Sequence, residues 1–321
     1  VDRPVAYLCA EFGLHESLAI YSGGLGVLAG DHLKAASDLR LPLVGVGLFY
    51  KKGYLHQQVT ATGDQVARDH LNDPNKLPLK RVLDERGAPV EVSLELPSSK
   101  LVLRAWRVEV GRVPLYLLDA DLEANRREDR AITAELYGGD QETRLRQEIV
   151  LGRGGARLLA ALGIRPSVWH INEGHAAFMA VERVGALVRD QALTFDEARE
   201  LVRATTAFTT HTPVPAGHDR FGEDLIRRYF SDVPSWMGVS WERFIGLGRS
   251  EEEREQFNMT LLALNFAGFV NGVSRLHGQV SRGLLQAFWP GALRSELPVR
   301  SVTNGVHLAT WTHPQLVELL G

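Results

Sequence analysis

The 321-residue chain carries 36 basic and 39 acidic side chains, a net charge of −3, with 45% hydrophobic and 23% charged residues. That balance belongs to a folded globular protein and excludes a disordered chain, a collagen-like chain or a basic nucleic-acid-binding tail. The lone cysteine, Cys9, excludes an internal disulfide framework and points to the reducing cytoplasm.

Length alone predicts roughly two domains of about 150 residues each. The sequence opens Val1-Asp2-Arg3-Pro4, without a methionine, and enters an apolar run at once. That leaves no room for a signal peptide and has the look of a piece of a longer chain.

In chain order, Val5 to Cys9 reads as a short buried strand. Val27 to Leu39 reads as a helix stopped by Pro42, and Leu43 to Tyr50 as a second strand. Such a β-loop-α-β unit marks a parallel sheet covered by helices. From about 82 to 113 the pattern changes. Val90, Val92, Leu94 and Leu96 alternate with polar residues, and Leu101, Leu103, Ala105 and Val108 continue after a Pro-Ser-Ser turn. This predicts a β-hairpin insertion that rejoins the core at Leu115 to Leu118.

Helical patterning resumes at Thr143 to Leu162. Val168 to Ile171 reads as a strand, Ala176 to Arg189 as a helix, and Thr194 with Glu197 as a capping box opening the next helix. Ala207 to Thr210, Phe269 to Val273 and Val299 to Thr303 read as the last strands. The uncharged stretch Phe257 to Ser274 reaches the length of about 18 residues that raises the question of a membrane span. Its Asn258, Asn265 and Asn271 would be costly in hydrocarbon, so a buried helix leading into a buried strand is expected instead. With no internal repeat or linker, residues 1–321 read as one large α/β domain, a Rossmann-like doubly wound parallel sheet with a β insertion.

Ligands of such sheets bind beyond the carboxyl ends of the strands. Four loops there are polar and marked by Gly or Pro. After the first strand come Glu11 and then Ser22-Gly23-Gly24-Leu25-Gly26, where bare backbone and a helix N-terminus favour an anion. It is neither a P-loop nor a G-x-G-x-x-G fingerprint. After 168–171 come Asn172-Glu173-Gly174-His175. His170, Glu173 and His175 match no metal-ligand spacing, so no metal is expected. After 207–210 comes His211-Thr212-Pro213-Val214-Pro215, with two prolines to fix the loop and His218 nearby. After 299–303 comes Asn304-Gly305-Val306-His307, an ordinary turn signal. No nucleophile elbow is present, and Cys9 falls within a buried strand where an inert thiol is expected.

Several segments together resemble the α-glucan (glycogen, starch or maltodextrin) phosphorylases, in their shorter bacterial and archaeal branch. They are Tyr7 to Gly13, Ser22 to His32, Arg144 to Glu148, Asn172 to His175, Thr209 to Gly217, Val270 to Ser274 with His277, and Thr303 to His307. The matches run in order over essentially the whole chain. The resemblance implies the N-terminal half of a GT-B glycosyltransferase, with a pyridoxal 5′-phosphate cofactor held by a lysine of a C-terminal domain absent here. It implies reversible phosphorolysis of α-1,4-glucan by inorganic phosphate to α-glucose 1-phosphate with retention, the cofactor's phosphate assisting proton transfer. Gly23, Gly24 and Leu25 then sit at the substrate phosphate, and Glu11 near the cofactor and glucosyl site. Asn172 lies in the substrate site and His211 orients the sugar. Glu173 stands where the larger animal enzymes carry Asp, and His175 braces the loop. The resemblance leaves a homo-oligomer open and involves no nucleic acid or membrane. It also implies that the isolated chain is inactive.

Two rival readings come with it. A glycogen or starch synthase shares the architecture and a Gly-Gly-Leu loop, but usually carries a lysine just before that loop, where this chain has Tyr21-Ser22. A non-catalytic carbohydrate-binding fragment is the other.

Overall fold

The computed structural model describes residues 3–53, 56–214, 217–251 and 254–320. The opening Val1-Asp2 and the second proline of the 211–217 loop, Pro215, lie outside the described residues.

The strands are β1 (Val5–Leu8), β2 (Leu43–Leu48), β3 (His56–Val59), β4 (Gln65–Arg68), β5 (Lys80–Arg81), β6 (Val92–Leu96) and β7 (Ser99–Val110). They continue with β8 (Val113–Asp119), β9 (Val168–Asn172), β10 (Thr206–Thr210), β11 (Arg220–Gly222), β12 (Gln256–Asn258), β13 (Phe269–Gly272) and β14 (Val299–Ser301). The main sheet runs β14-β13-β10-β9-β1-β2-β8-β7-β5, with β6 paired to β7. From β14 to β8 every pairing is parallel. Flanking helices connect these strands, so the fold is α/β. The central strands are buried, β2 along its whole length, which explains their continuous apolar runs.

The alternating stretch after residue 82 extends the sheet itself. β6 and β7 form an antiparallel hairpin, and β7 pairs antiparallel with β8, from Arg104 opposite Asp119 to Val110 opposite Val113. The hairpin β3–β4 and the antiparallel pair β11–β12 were not expected from the sequence. β4 is fully exposed, and an exposed strand carries no apolar period to read.

Two helices differ from expectation in an informative way. The first spans Gly24–Asp38 rather than starting at Val27, so Gly24, Leu25 and Gly26 form its opening turn. Glycine is a poor helix former, yet the first-turn N–H groups have no intrahelical partner anyway. The amphipathic stretch 143–162 is one run, Gln141–Ile149, a π turn at Val150–Gly154, then Gly155–Ala161. Asp140 caps its start, accepting the Thr143 N–H at 2.8 Å.

Phe257 to Ser274 folds as β12, a helix over Met259–Phe266, and β13. Its amides are all engaged. The Asn258 side chain caps the helix, and Asn265 Nδ2 donates to the Leu247 and Leu261 carbonyls. Asn271 Oδ1 accepts from the Thr209 hydroxyl. Among the described residues no helix is long and apolar enough to cross a membrane. Near the end of the chain, the Asp31 carboxylate accepts the His307 backbone N–H at 3.0 Å and the Trp311 indole N–H at 2.8 Å, which fastens the 303–311 segment to the first helix.

Candidate active site

The chain runs outward from β1 through β2 to β8, then returns to β9 and runs outward the other way through β10, β13 and β14. Between β1 and β9 the strand order reverses. Connections there leave in opposite directions and open a crevice at the carboxyl ends of the strands, the usual ligand position in a doubly wound sheet. Glu11 follows β1, Asn172 ends β9 with Glu173 just after it, and His211 follows β10.

Glu11 is 3% exposed. Its Oε2 accepts the Ser22 N–H at 2.8 Å and the Gly23 N–H at 3.2 Å, and its Oε1 accepts the Tyr137 hydroxyl at 2.7 Å. The carboxylate therefore pins the turn that enters the first helix. Gly26 has to be glycine: a Cβ there would lie 2.5 Å from Tyr21 Cβ and 2.7 Å from Glu11 Oε2. Gly23 and Gly24 differ. A Cβ on either would meet nothing within 4 Å, and neither has a positive φ. Nothing in this chain requires glycine at either place, so the bare backbone keeps space for something else. Gly23 is the N-cap and offers no side-chain cap, and the first turn holds no acidic residue. Its N–H groups and the helix dipole suit an anion. The Leu25 side chain packs against the core, which leaves its backbone to take part.

The second group surrounds His211. Its Nε2 lies 2.6 Å from Asn172 Oδ1. Asn172 spends its Nδ2 on Cys9 Sγ at 3.4 Å, so Oδ1 is the acceptor and the imidazole proton sits on Nε2. Burial, then the neighbouring His277 and His175, lower the His211 pKa to about 4, and the ring is neutral at pH 7. Burial pushes the Cys9 thiol up to about 12, which keeps it inert.

Glu173 has φ 65° and ψ 174°, a region held almost entirely by glycine and costing on the order of 1–3 kcal/mol. The surroundings hold it there. Its N–H donates to the Thr209 carbonyl at 2.9 Å, and its Oε1 accepts the His211 backbone N–H and the Thr212 hydroxyl. Burial raises its pKa above the ordinary value, against the pull of these donors and of His175. Glu173 thus clasps the loop that carries His211.

A half-buried charged layer, with Glu148 buried behind it, backs both groups. Arg144 Nη2 reaches both oxygens of Asp219 at 2.7 and 2.8 Å, and His175 Nε2 lies 3.2 Å from Asp219 Oδ2. Burial alone would raise Asp219, but His175 and Arg144 outweigh it and hold the carboxyl well below the usual range. Glu148 is pushed well above its ordinary value by burial and then by Asp219. Arg144 also lies 5.0 Å over the Tyr137 ring, which joins this layer to Glu11.

No protein-family model matches the chain. It is 44% identical over 323 residues to a maltodextrin phosphorylase of Thermococcus litoralis, covering 99% of this chain and 38% of that protein. It is 47% identical over 328 residues to a glycogen phosphorylase of Mycobacterium tuberculosis, covering 98% and 38%. A glycogen phosphorylase of Aquifex aeolicus is 39% identical over 318 residues, covering 99% and 45%. Over its length this chain is homologous to the glycogen and maltodextrin phosphorylases. It spans less than half of the length of these curated relatives.

The segments that carry Glu11, Gly23, Asn172 and His211 come together at the reversal point. Glu11 with Ser22 and Gly23 forms one bonded group, Gly24 following it in the chain; Asn172, Glu173 and His211 form the other, beyond the neighbouring strands. His175 binds Asp219 of the 211–222 connection. His307 lies apart, against Asp38 and Thr310. His218 accompanies Thr260 at 2.7 Å. Sequence reasoning assigned no role to Tyr137, Arg144, Asp219 or Thr212. The Tyr-Gly-Gly of 137–139 was the available signal, since Tyr137 has φ 56°, uncommon outside glycine.

Proposed function

We propose that the chain forms the substrate-side wall of an α-glucan phosphorylase. This glycosyltransferase of GT-B architecture cleaves α-1,4-glucan with inorganic phosphate, giving α-glucose 1-phosphate with retention, in the cytoplasm. The observation that carries this reading is the uncapped helix N-terminus at Gly23 and Gly24, braced by Glu11 and flanked by unoccupied Cβ space. The relatives' names supply the reaction class.

In this reading the backbone N–H groups of Gly24 and Leu25 hold the phosphate, with Gly23 leaving room for it. His211, neutral and fixed by Asn172, orients the glucosyl unit and meets the positive charge that develops at its ring. Glu173 is a positioning residue, acting through the His211 backbone N–H and Thr212. Glu11 positions the phosphate loop.

The fit to pyridoxal 5′-phosphate divides between its two ends. The uncapped helix N-terminus suits a phosphate group. No lysine lies beyond residue 100, Lys34 donates to the Leu14 carbonyl, and Lys51 and Lys52 pair with Asp121 and Asp69. No amine is therefore placed at the crevice to hold the aldehyde, and the reading assigns that lysine to a C-terminal domain. Bound there, the cofactor supplies a phosphate group that assists proton transfer to the attacking phosphate. The exposed Leu308, Trp311, Leu316 and Val317 form the apolar surface such a domain would cover.

The test is release of glucose 1-phosphate from maltoheptaose and inorganic phosphate. We expect it from the longer protein containing this chain, and from the chain only when the second domain is supplied. Release by the chain alone would show that its own residues suffice, and inactivity of the longer protein would overturn the reading.

A further inference from the structure

A second cavity, of about 440 Å³, opens on the same carboxyl edge of the sheet as the crevice. Phe49 and Lys51 follow β2, Asp119 ends β8, and Arg81 and Trp106 come from β5 and β7. β8 is two strands from β1, so the cavity begins roughly 10 Å along the edge from the strand that carries Glu11. No step of the proposed reaction uses it.

Its walls are built. Trp106 Nε1 donates to Asp119 Oδ2 at 2.9 Å, which fixes the indole. The Phe49 ring packs 6.0 Å from the indole, and the exposed Arg81 guanidinium lies 5.7 Å over it. Asn72, 3% exposed, seals the side towards β2 by donating to the Tyr50 and Ala19 carbonyls. Charge around the cavity balances: Lys51, Arg81 and Arg104 against Asp119, Asp121 and Glu123. A surplus of either sign would select an ion. Three cationic and three anionic side chains around an aromatic wall, with Lys51 already paired to Asp121 and Arg104 to Glu91, leave no net charge to select an ion and suit a neutral ligand covered in hydroxyl groups. The volume lies within the range of small-ligand sites.

We infer that this cavity is a second binding site for a neutral saccharide, a segment of α-glucan held beside the crevice. The saccharide class stands on the cavity alone; the choice of α-glucan rests on the phosphorylase reading.

Isothermal titration of the chain with maltoheptaose tests it, using three variants. Arg81→Ala with Glu123→Ala alters two exposed cavity residues and leaves the fold intact, which circular dichroism checks. Trp106→Phe keeps an aromatic wall and serves a parallel fluorescence titration. His211→Ala disables the crevice. The cavity double variant is expected to weaken binding about tenfold, the loss of a charge-assisted hydrogen bond. His211→Ala retains that binding event. Maltoheptaose changes the wild-type tryptophan emission, and Trp106→Phe abolishes the change.

Wild-type affinity in the double variant, no maltoheptaose binding to the wild type, or equal affinity for an oligoglucuronate of the same length would each overturn the inference. Loss of binding in the double variant while the longer protein still phosphorolyses glucan leaves the phosphorylase reading standing and supports the cavity. Phosphorolysis absent from the longer protein with cavity binding intact removes the phosphorylase reading alone.

Discussion

His211 Nε2 sits 2.6 Å from Asn172 Oδ1, and that one contact sets which nitrogen of the ring carries the proton. Because an amide oxygen is uncharged, it stabilises the imidazolium much less than a carboxylate in its place would. Asn172→Asp would place a carboxylate there instead, and an opposite charge at this distance favours the protonated ring. We expect the His211 titration, at about 4 in the native protein, to rise by roughly 1–3 pH units. Histidine chemical shifts followed against pH check this, and an unmoved His211 would refute the contact.

Buried neutral histidines also predict an acid-labile fold. The His170 pKa falls to about 3 through burial, with His32 and His211 adding to it, and that of His211 to about 4. Both lie below the unfolded value of about 6.5. Between about pH 4 and 6.5 the unfolded chain therefore binds more protons than the folded one, and stability falls as pH falls. Each such histidine contributes up to about 1.4 kcal/mol per pH unit across that window. Urea denaturation midpoints measured from pH 7 to pH 4 give the slope. His170→Asn should remove about one proton from it.

Two glycines two positions apart, Gly24 and Gly26, should respond in opposite ways. Gly24→Ala meets nothing within 4 Å, so the protein should fold with unchanged stability or gain up to about 0.5 kcal/mol. Phosphate binding should nevertheless weaken, because the methyl group enters the space proposed for the anion. Gly26→Ala drives a methyl group into Tyr21 and Glu11 and should cost about 1–3 kcal/mol. Thermal melts of both variants, with and without phosphate, separate the two roles.

The Glu11 clamp can be measured directly. Tyr137→Phe deletes the 2.7 Å hydrogen bond to Oε1 and should cost about 1.5–3 kcal/mol, the range for a bond to a charged group. Glu11→Gln should weaken the hold on the Ser22 and Gly23 N–H groups. If both act through one clamp, the double variant will lose less than the sum of the singles. Additive losses in urea titrations would show that they act separately.

The sheet was legible because its central strands are continuous apolar runs, and the loops Glu11, Gly23-Gly24, Asn172-Glu173 and His211 were legible because polar residues follow those runs directly. Other features were not. The start of the first helix was placed at Val27 because glycine disguises an opening turn. The clamp from Tyr137 to Glu11 joins residues 126 positions apart, beyond the reach of any local pattern. Thr194 with Glu197 shows the opposite case, a capping box readable within four residues and present as read.

The position of β1 bears on how such a protein can be made. The first strand of the chain is central in the sheet, and its two neighbours are β2 and β9, more than a hundred residues apart in sequence. During synthesis β2 emerges early and covers one edge of β1. The other edge, pairing Val5 with Val168 through Leu8 with Ile171, stays bare until β9 leaves the ribosome. At a typical pace of about 5–20 residues per second, the unpaired backbone edge of the central strand is open for several seconds at least. That interval is when a nascent chain of this topology is most exposed to mispairing and to chaperone capture. It closes with the same strand that delivers Asn172, so a complete crevice also reports that the riskiest step of folding is over.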